Sequence, residues 1–184
     1  MDTLTEKTLS QTTAFQGRLL RLRVDEVRLP DGSTAGREVV EHPGGVAVLA
    51  LTDTEEVLLV RQFRYPYGEI LTEIPAGKRE AGEEPLVTGM RELAEETGYR
   101  ADNYTFLGTL YPTPGYCDEV IYLYMATDLH LVDAHPDEDE FLEVGRMPLA
   151  QLVDLVLDNR IPDAKTQTAA LKAWCLLKKR KDGN

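Results

Sequence analysis

Three acidic side chains close together, Glu92, Glu95 and Glu96, are the feature of this chain best suited to do chemistry. On a helix, at 100° per residue, they fall on one side, and Glu92 stacks over Glu96 one turn along. Like charges at that spacing cost roughly a few tenths of a kcal/mol per pair. Arg91, four positions before Glu95, offsets part of this. The remaining cost makes sense if the acids gather a hard divalent cation, since Mg²⁺ takes a few carboxylates together with waters and substrate phosphates. On spacing alone, a solvated acidic helix face is the plainer alternative. Pro75, Gly77 and Gly82 favour the cation. They imply a tight loop against the helix N-terminus, from which a backbone carbonyl could reach the same ion.

The helix itself is predicted over Pro85–Thr97. Proline suits a first helical position, and Gly98 supplies the residue without a Cβ that ends one. Leu86, Met90, Leu93 and Thr97 share a face, flanked by Val87 and Ala94, so this face is expected to point into the core. Around the helix the chain reads largely as strands. Residues 18–29 alternate loosely, Pro30-Asp31-Gly32-Ser33 turns, and Arg37–Glu41 returns as the second strand of a hairpin. Denser apolar runs follow at Val46–Leu51 and Val57–Arg61, then Ile70–Ile74, Tyr104–Leu110, Val120–Ala126 and Phe141–Arg146. Two further helices are expected, Leu149–Asp158 and Lys165–Lys179, with Asp163 capping the second. Strands around one central helix, with helices at the end, make a mixed α/β or α+β domain.

Composition narrows the partners. The 184 residues suit one domain, or one domain with a short arm, and an apolar share of 42% is enough for a packed core. A net charge of −12 repels phosphate backbones, so nucleic acid is not an expected partner. Apolar stretches such as Val57–Val60 fall far short of the roughly 20 residues of a membrane span. Asp2, Glu6 and Lys7 interrupt any apolar signal segment, and Cys117 and Cys175 alone form no disulfide framework, so a cytoplasmic setting is expected. His42, His130 and His135 are scattered without ligand spacing, and no nucleophile elbow, phosphate loop or dinucleotide fingerprint is present. The acidic run after Asp133 has no glycine at the sixth position that an EF-hand requires.

Gly77, five residues, Glu83, seven residues, then Arg91-Glu92-Leu93-Ala94-Glu95-Glu96-Thr97-Gly98-Tyr99 resembles the Nudix box, G-x5-E-x7-R-E-U-x-E-E-x-G-U. Every fixed glycine, acid and arginine stands at its required spacing. Tyr99 departs from the aliphatic residue the family prefers, and Thr88-Gly89 from its common small alanines, with Gly89 costing the helix ~1 kcal/mol relative to alanine. The resemblance implies an α/β/α sandwich with a mixed β-sheet that hydrolyses nucleoside diphosphates linked to another moiety. It implies that Glu92 and Glu96 bind Mg²⁺ (or Mn²⁺), with Glu95 close by and the Ala76 carbonyl as a further ligand. Gly77, Glu83, Arg91 and Gly98 are then structural.

Outside the box, Pro114 within Tyr111-Pro112-Thr113-Pro114-Gly115, the segment Arg61-Gln62-Phe63-Arg64-Tyr65-Pro66 and the run Glu73-Ile74-Pro75-Ala76-Gly77 are similar to the ADP-ribose pyrophosphatase subgroup. That likeness implies an N-terminal β-hairpin arm over residues 1–43 that forms a homodimer, and a hydrolase domain over residues 44–184. It implies that Pro114 and Gly115 line the substrate site, that Arg64 contacts the phosphate or terminal ribose, and that Glu73 accepts hydrogen bonds from the nucleoside. Arg37 is expected to do similar work, across the dimer. Glu138 is the expected general base, with Glu140 second and Glu95 a further catalytic carboxylate. The alternatives are a pyrophosphatase of GDP-mannose or another nucleotide sugar and, in another class, a silent domain that only senses its ligand.

Overall fold

The computed structural model describes residues 4–132 and 141–182. Glu138 and Glu140 lie outside the described residues. The chain divides into two compact units, Met1–Gly44 with Tyr111–Val120, and Gly45–Leu110 with Ile121–Asn184.

In the first unit, β1 (Lys7–Gln16), β2 (Arg21–Arg28) and β3 (Thr34–Glu41) form an antiparallel sheet in that order. The hairpin of β2 and β3 follows the expected turn, with Gly32 at φ 89° and its N–H donating to the Leu29 carbonyl. The expected two-stranded arm is thus a three-stranded sheet, because β1 adds to the free edge of β2 from Lys7↔Arg28 to Gln16↔Arg21. All ten residues of β1 are exposed. The segment carrying Pro114 and Gly115 hooks onto β3. Val40 N–H donates to the Tyr116 carbonyl at 2.7 Å, and Asp118 N–H donates to the Val40 carbonyl at 3.1 Å.

The second unit holds β4 (Gly45–Ala50), β5 (Glu56–Arg64), β6 (Glu69–Glu73), β7 (Ala76–Lys78), α1 (Pro85–Thr97), β8 (Tyr99–Leu110), β9 (Ile121–Leu131), β10 (Leu142–Pro148), α2 (Leu149–Leu157) and α3 (Ala164–Asp182). One sheet runs β7-β4-β9-β8 and the other β10-β5-β6. Strand β4 lies parallel to β9 and antiparallel to β7, which makes the first sheet mixed. Every residue of β4 is buried, and its alternation decides which layer each side chain joins. Ala47 and Leu49 pack with Leu149, Leu152, Ala169 and Ala173 of α2 and α3, whereas Val46 and Val48 pack with Leu93 of α1. Helices therefore cover both faces, the architecture of an α/β/α sandwich. A strand buried on both sides reads as an unbroken apolar run, as Val46–Leu51 does.

Helix α1 begins at Pro85 and ends where Gly98 takes a left-handed φ of 70° and donates its N–H to the Ala94 carbonyl. Its buried face differs from the expected one. Leu86, Val87 and Met90 are 37, 53 and 43% exposed, and Thr88, Gly89, Glu92, Leu93, Glu96 and Thr97 are the buried residues. Gly89 explains part of the rotation. A Cβ there would lie 3.0 and 3.1 Å from the Val46 and Val48 methyls, so the missing side chain lets the helix sit close on β4. The propensity cost of this glycine is offset by that packing.

Candidate active site at the loop before the central helix

Two carboxylates on the buried face of α1 point toward the start of β7. Glu96 is 3% exposed, and its Oε2 accepts the Ala76 N–H at 3.0 Å. Glu92 lies against Gly77. A Cβ built at Gly77 would fall 1.9 Å from the Glu92 Cδ and 2.0 and 2.2 Å from its oxygens. Only glycine admits the carboxylate this close to the backbone. That stretch is held in place by the sheet, since Ala76 and Gly77 pair with Ala47 and Val46 of β4.

Burying charged carboxylates is expensive unless each is paired and hydrogen-bonded. Arg91 supplies the pairing. Its Nη1 lies 2.8 Å from Glu92 Oε1 and 2.9 Å from Glu95 Oε2, and Nε donates to Glu83 Oε1 at 3.2 Å. Nη2 donates to Glu83 Oε2 at 3.2 Å and to the Lys78 carbonyl at 3.3 Å. One guanidinium therefore ties three acids to the loop. The Arg91 hydrogen bond holds the Glu83 carboxyl at about 2, against the opposing effect of burial and with help from the Thr88 hydroxyl and the Glu80 N–H. Arg91 is in turn raised above its already high value, chiefly by its bond to Glu83.

The donor set fits a hard divalent cation: three carboxylates and a peptide turn offer only oxygen, at the place where a glycine keeps the backbone accessible. Among the described residues no three acidic, histidine or cysteine side chains already converge as a metal cage. Partial protein ligation suits Mg²⁺, which keeps several waters and takes the rest of its shell from substrate phosphates.

A second cluster lies on β5, β6 and the start of α3. Arg64 grips Glu73 with two hydrogen bonds of 2.7 Å, from Nε to Oε1 and from Nη2 to Oε2. Glu73 is 1% exposed. Lys165 also donates to its Oε2 and, at 2.9 Å, to Asp163 Oδ1. Burial would raise the Glu73 carboxyl, but Arg64 and Lys165 outweigh it, and the group stays ionised below its ordinary range. The Arg64 guanidinium is raised, first by Glu73 and further by the fields of Asp163 and Glu96, so the two clusters sense each other electrostatically. Glu73, expected to accept from a nucleoside, thus has both oxygens engaged by cations of its own chain.

Of the residues singled out from sequence, Glu96 meets Ala76, Glu92 and Glu95 share Arg91, and Arg64 and Glu73 form their own pair within the same unit. Arg37, Pro114 and Gly115 belong to the first unit, where Arg37 Nη2 pairs with Glu6 Oε1 at 2.5 Å. Sequence reasoning missed Lys165 and Thr166. A signal existed: a lysine in the first turn of a helix opposes the macrodipole, so its presence there implies an acidic partner.

The NUDIX domain model matches residues 41–171, and the model of the nucleoside diphosphate sugar hydrolase N-terminal domain matches residues 6–40. This chain belongs to the Nudix hydrolase family. It is 44% identical over 171 residues to an ADP-ribose pyrophosphatase of Bacillus subtilis (strain 168), covering 92% of each chain. It is 43% identical to a methanol dehydrogenase activator of Bacillus methanolicus, covering 89% of this chain and 90% of the relative. Among solved structures, a crystal structure of an ADP compounds hydrolase superposes with a TM-score of 0.86 at 25% identity, covering 98% of both chains.

Proposed function

We propose that this chain hydrolyses the pyrophosphate bond of ADP-ribose, giving AMP and ribose 5-phosphate, with Mg²⁺ or Mn²⁺ as its cation. The observation that supports the reading is that Glu96 and Glu92 sit against Ala76 and Gly77, with Arg64, held by Glu73, within the electrostatic reach of Glu96. The likeness to an ADP-ribose pyrophosphatase over nearly the whole chain supports ADP-ribose as the substrate.

Glu92 and Glu96, with Glu95 and the Ala76 carbonyl, are the groups that would hold the cation. The chemistry such an ion would supply there is neutralisation of the diphosphate charge and acidification of water. Arg64 donates to a diphosphate oxygen, where a planar guanidinium fits better than a point charge. Arg37, Pro114 and Gly115, in the first unit, are the further residues assigned to substrate binding. Glu138, or Glu140 in its place, takes the proton of the attacking water. In a cytoplasmic setting the chain would act as a homodimer joined through the residue 1–43 arm. The exposed edge of β1, with Leu9 and Phe15 open, favours such pairing, and a light-scattering mass of a single chain would end it.

The test is a product assay of the purified protein with Mg²⁺ or Mn²⁺ over ADP-ribose, GDP-mannose, other nucleotide sugars and NADH. AMP and ribose 5-phosphate from ADP-ribose are expected as the preferred products. ADP-ribose left intact while GDP-mannose is cleaved would move the assignment to the alternative substrate. No turnover of any member of the panel would favour the silent ligand sensor.

A further inference from the structure

We propose that Lys165, at the start of α3, is a positioning residue for the diphosphate: it fixes Glu73, and through Glu73 the Arg64 guanidinium. This rests on the reading of Arg64 as a substrate contact. Lys165 is 69 positions or more from any acid of the box, yet its side chain is only 12% exposed and sits between two carboxylates.

The chain of contacts is continuous. Asp163 Oδ2 accepts the Thr166 N–H at 2.9 Å and the Thr166 hydroxyl at 2.5 Å, capping α3. Asp163 Oδ1 is thereby aimed at Lys165. The Thr166 oxygen accepts the buried Ile74 N–H at 2.9 Å, which locks the first turn of α3 to the residue following Glu73. Lys165 then holds Glu73 Oε2, and Glu73 holds Arg64 by both oxygens. Two residues beyond Ile74, the Ala76 N–H meets Glu96. One short stretch of chain, Glu73–Ala76, therefore carries both the arginine anchor and the turn of the cation site.

Charge arithmetic explains why a lysine is needed. Arg64 and Lys165 face Glu73 and Asp163, two cations to two anions. With Lys165 in place, Glu73 does not depend on the full guanidinium for its charge balance, and Arg64 Nη1 makes no hydrogen bond among the described residues. That nitrogen is the donor assigned here to an incoming anion. Without Lys165, the buried carboxylate would draw Arg64 inward, and the side chain would lose its fixed placement.

The experiment compares Lys165→Met, Lys165→Arg and Arg64→Ala, together with the double variant Lys165→Met/Arg64→Ala. KM and kcat for ADP-ribose are measured beside the dissociation constant of α,β-methylene ADP-ribose and the melting temperature. Lys165→Met is expected to raise KM and that dissociation constant about tenfold, with kcat changed less than threefold. Lys165→Arg should restore most of the affinity. In the Arg64→Ala background, Lys165→Met should have no further effect, because its target is gone. If Lys165→Met does not fold, Lys165→Gln replaces it in every arm.

A KM and dissociation constant unchanged in a folded Lys165 variant, or a full tenfold effect surviving in the Arg64→Ala background, would overturn the proposal. A lower melting temperature with normal affinity would reduce Lys165 to a structural role and overturn it likewise. A wild-type protein that neither binds nor cleaves ADP-ribose would instead sink the substrate reading, and this inference with it.

Discussion

Glu96→Gln is expected to lower kcat for ADP-ribose by at least ~100-fold, the scale of losing one preorganised charged group. Folding should survive. The replacement keeps the volume of a side chain that is almost fully buried, and its carbonyl oxygen still accepts the Ala76 N–H. Removing one charge also relieves repulsion from Glu92, one helical turn away, so the melting temperature should hold or rise. The cation requirement is the sharper readout, because half-saturation with Mg²⁺ should shift to higher concentration. Turnover within threefold of wild type would take Glu96 out of the metal site.

Gly77→Ala is expected to cost activity on the same scale while leaving stability nearly intact. The added methyl would overlap the Glu92 carboxylate, at 1.9 to 2.2 Å. The overlapped atoms are the far end of a flexible side chain, so Glu92 can swing away at about 1 kcal/mol rather than distort the sheet. Such a change shifts the melting temperature by roughly 2–4 °C in a domain of this size. What is lost is the placement of the carboxylate beside the turn, and with it about two orders of magnitude in kcat. A Gly77→Ala enzyme with normal turnover would show that Glu92 need not approach the turn for catalysis.

Much of this arrangement is legible in the sequence. Pro85 and Gly98 mark the ends of α1, and the apolar runs mark β4 and β5, because these signals are local. Strand β1 was not legible: Lys7–Gln16 is polar and exposed along its whole length, so no face of it carries a buried pattern. The three residues of β7 are fixed by pairing with β4, which a local window cannot contain. The facing of α1 was misread for a different reason. Hydrophobicity points Leu86 and Met90 inward, but Glu96 turns inward to the Ala76 N–H and Glu92 to Gly77 and Arg91, and Gly89 lets the helix roll onto Val46 and Val48. The partnership of Glu73 with Lys165 joins residues 92 positions apart, and only the fold makes them neighbours.

The bridging of Ala76 and Gly77 to the wholly buried β4 has an evolutionary corollary. The backbone that would present a carbonyl to the cation is welded to the interior, so drift there is punished twice, in stability and in rate. Change in what the molecule cleaves is therefore expected at side chains such as Arg37 and the exposed Tyr65, which lie outside the pairing of β4 with β7. A lineage built on this plan diversifies by changing its grip and leaving its cutting edge alone.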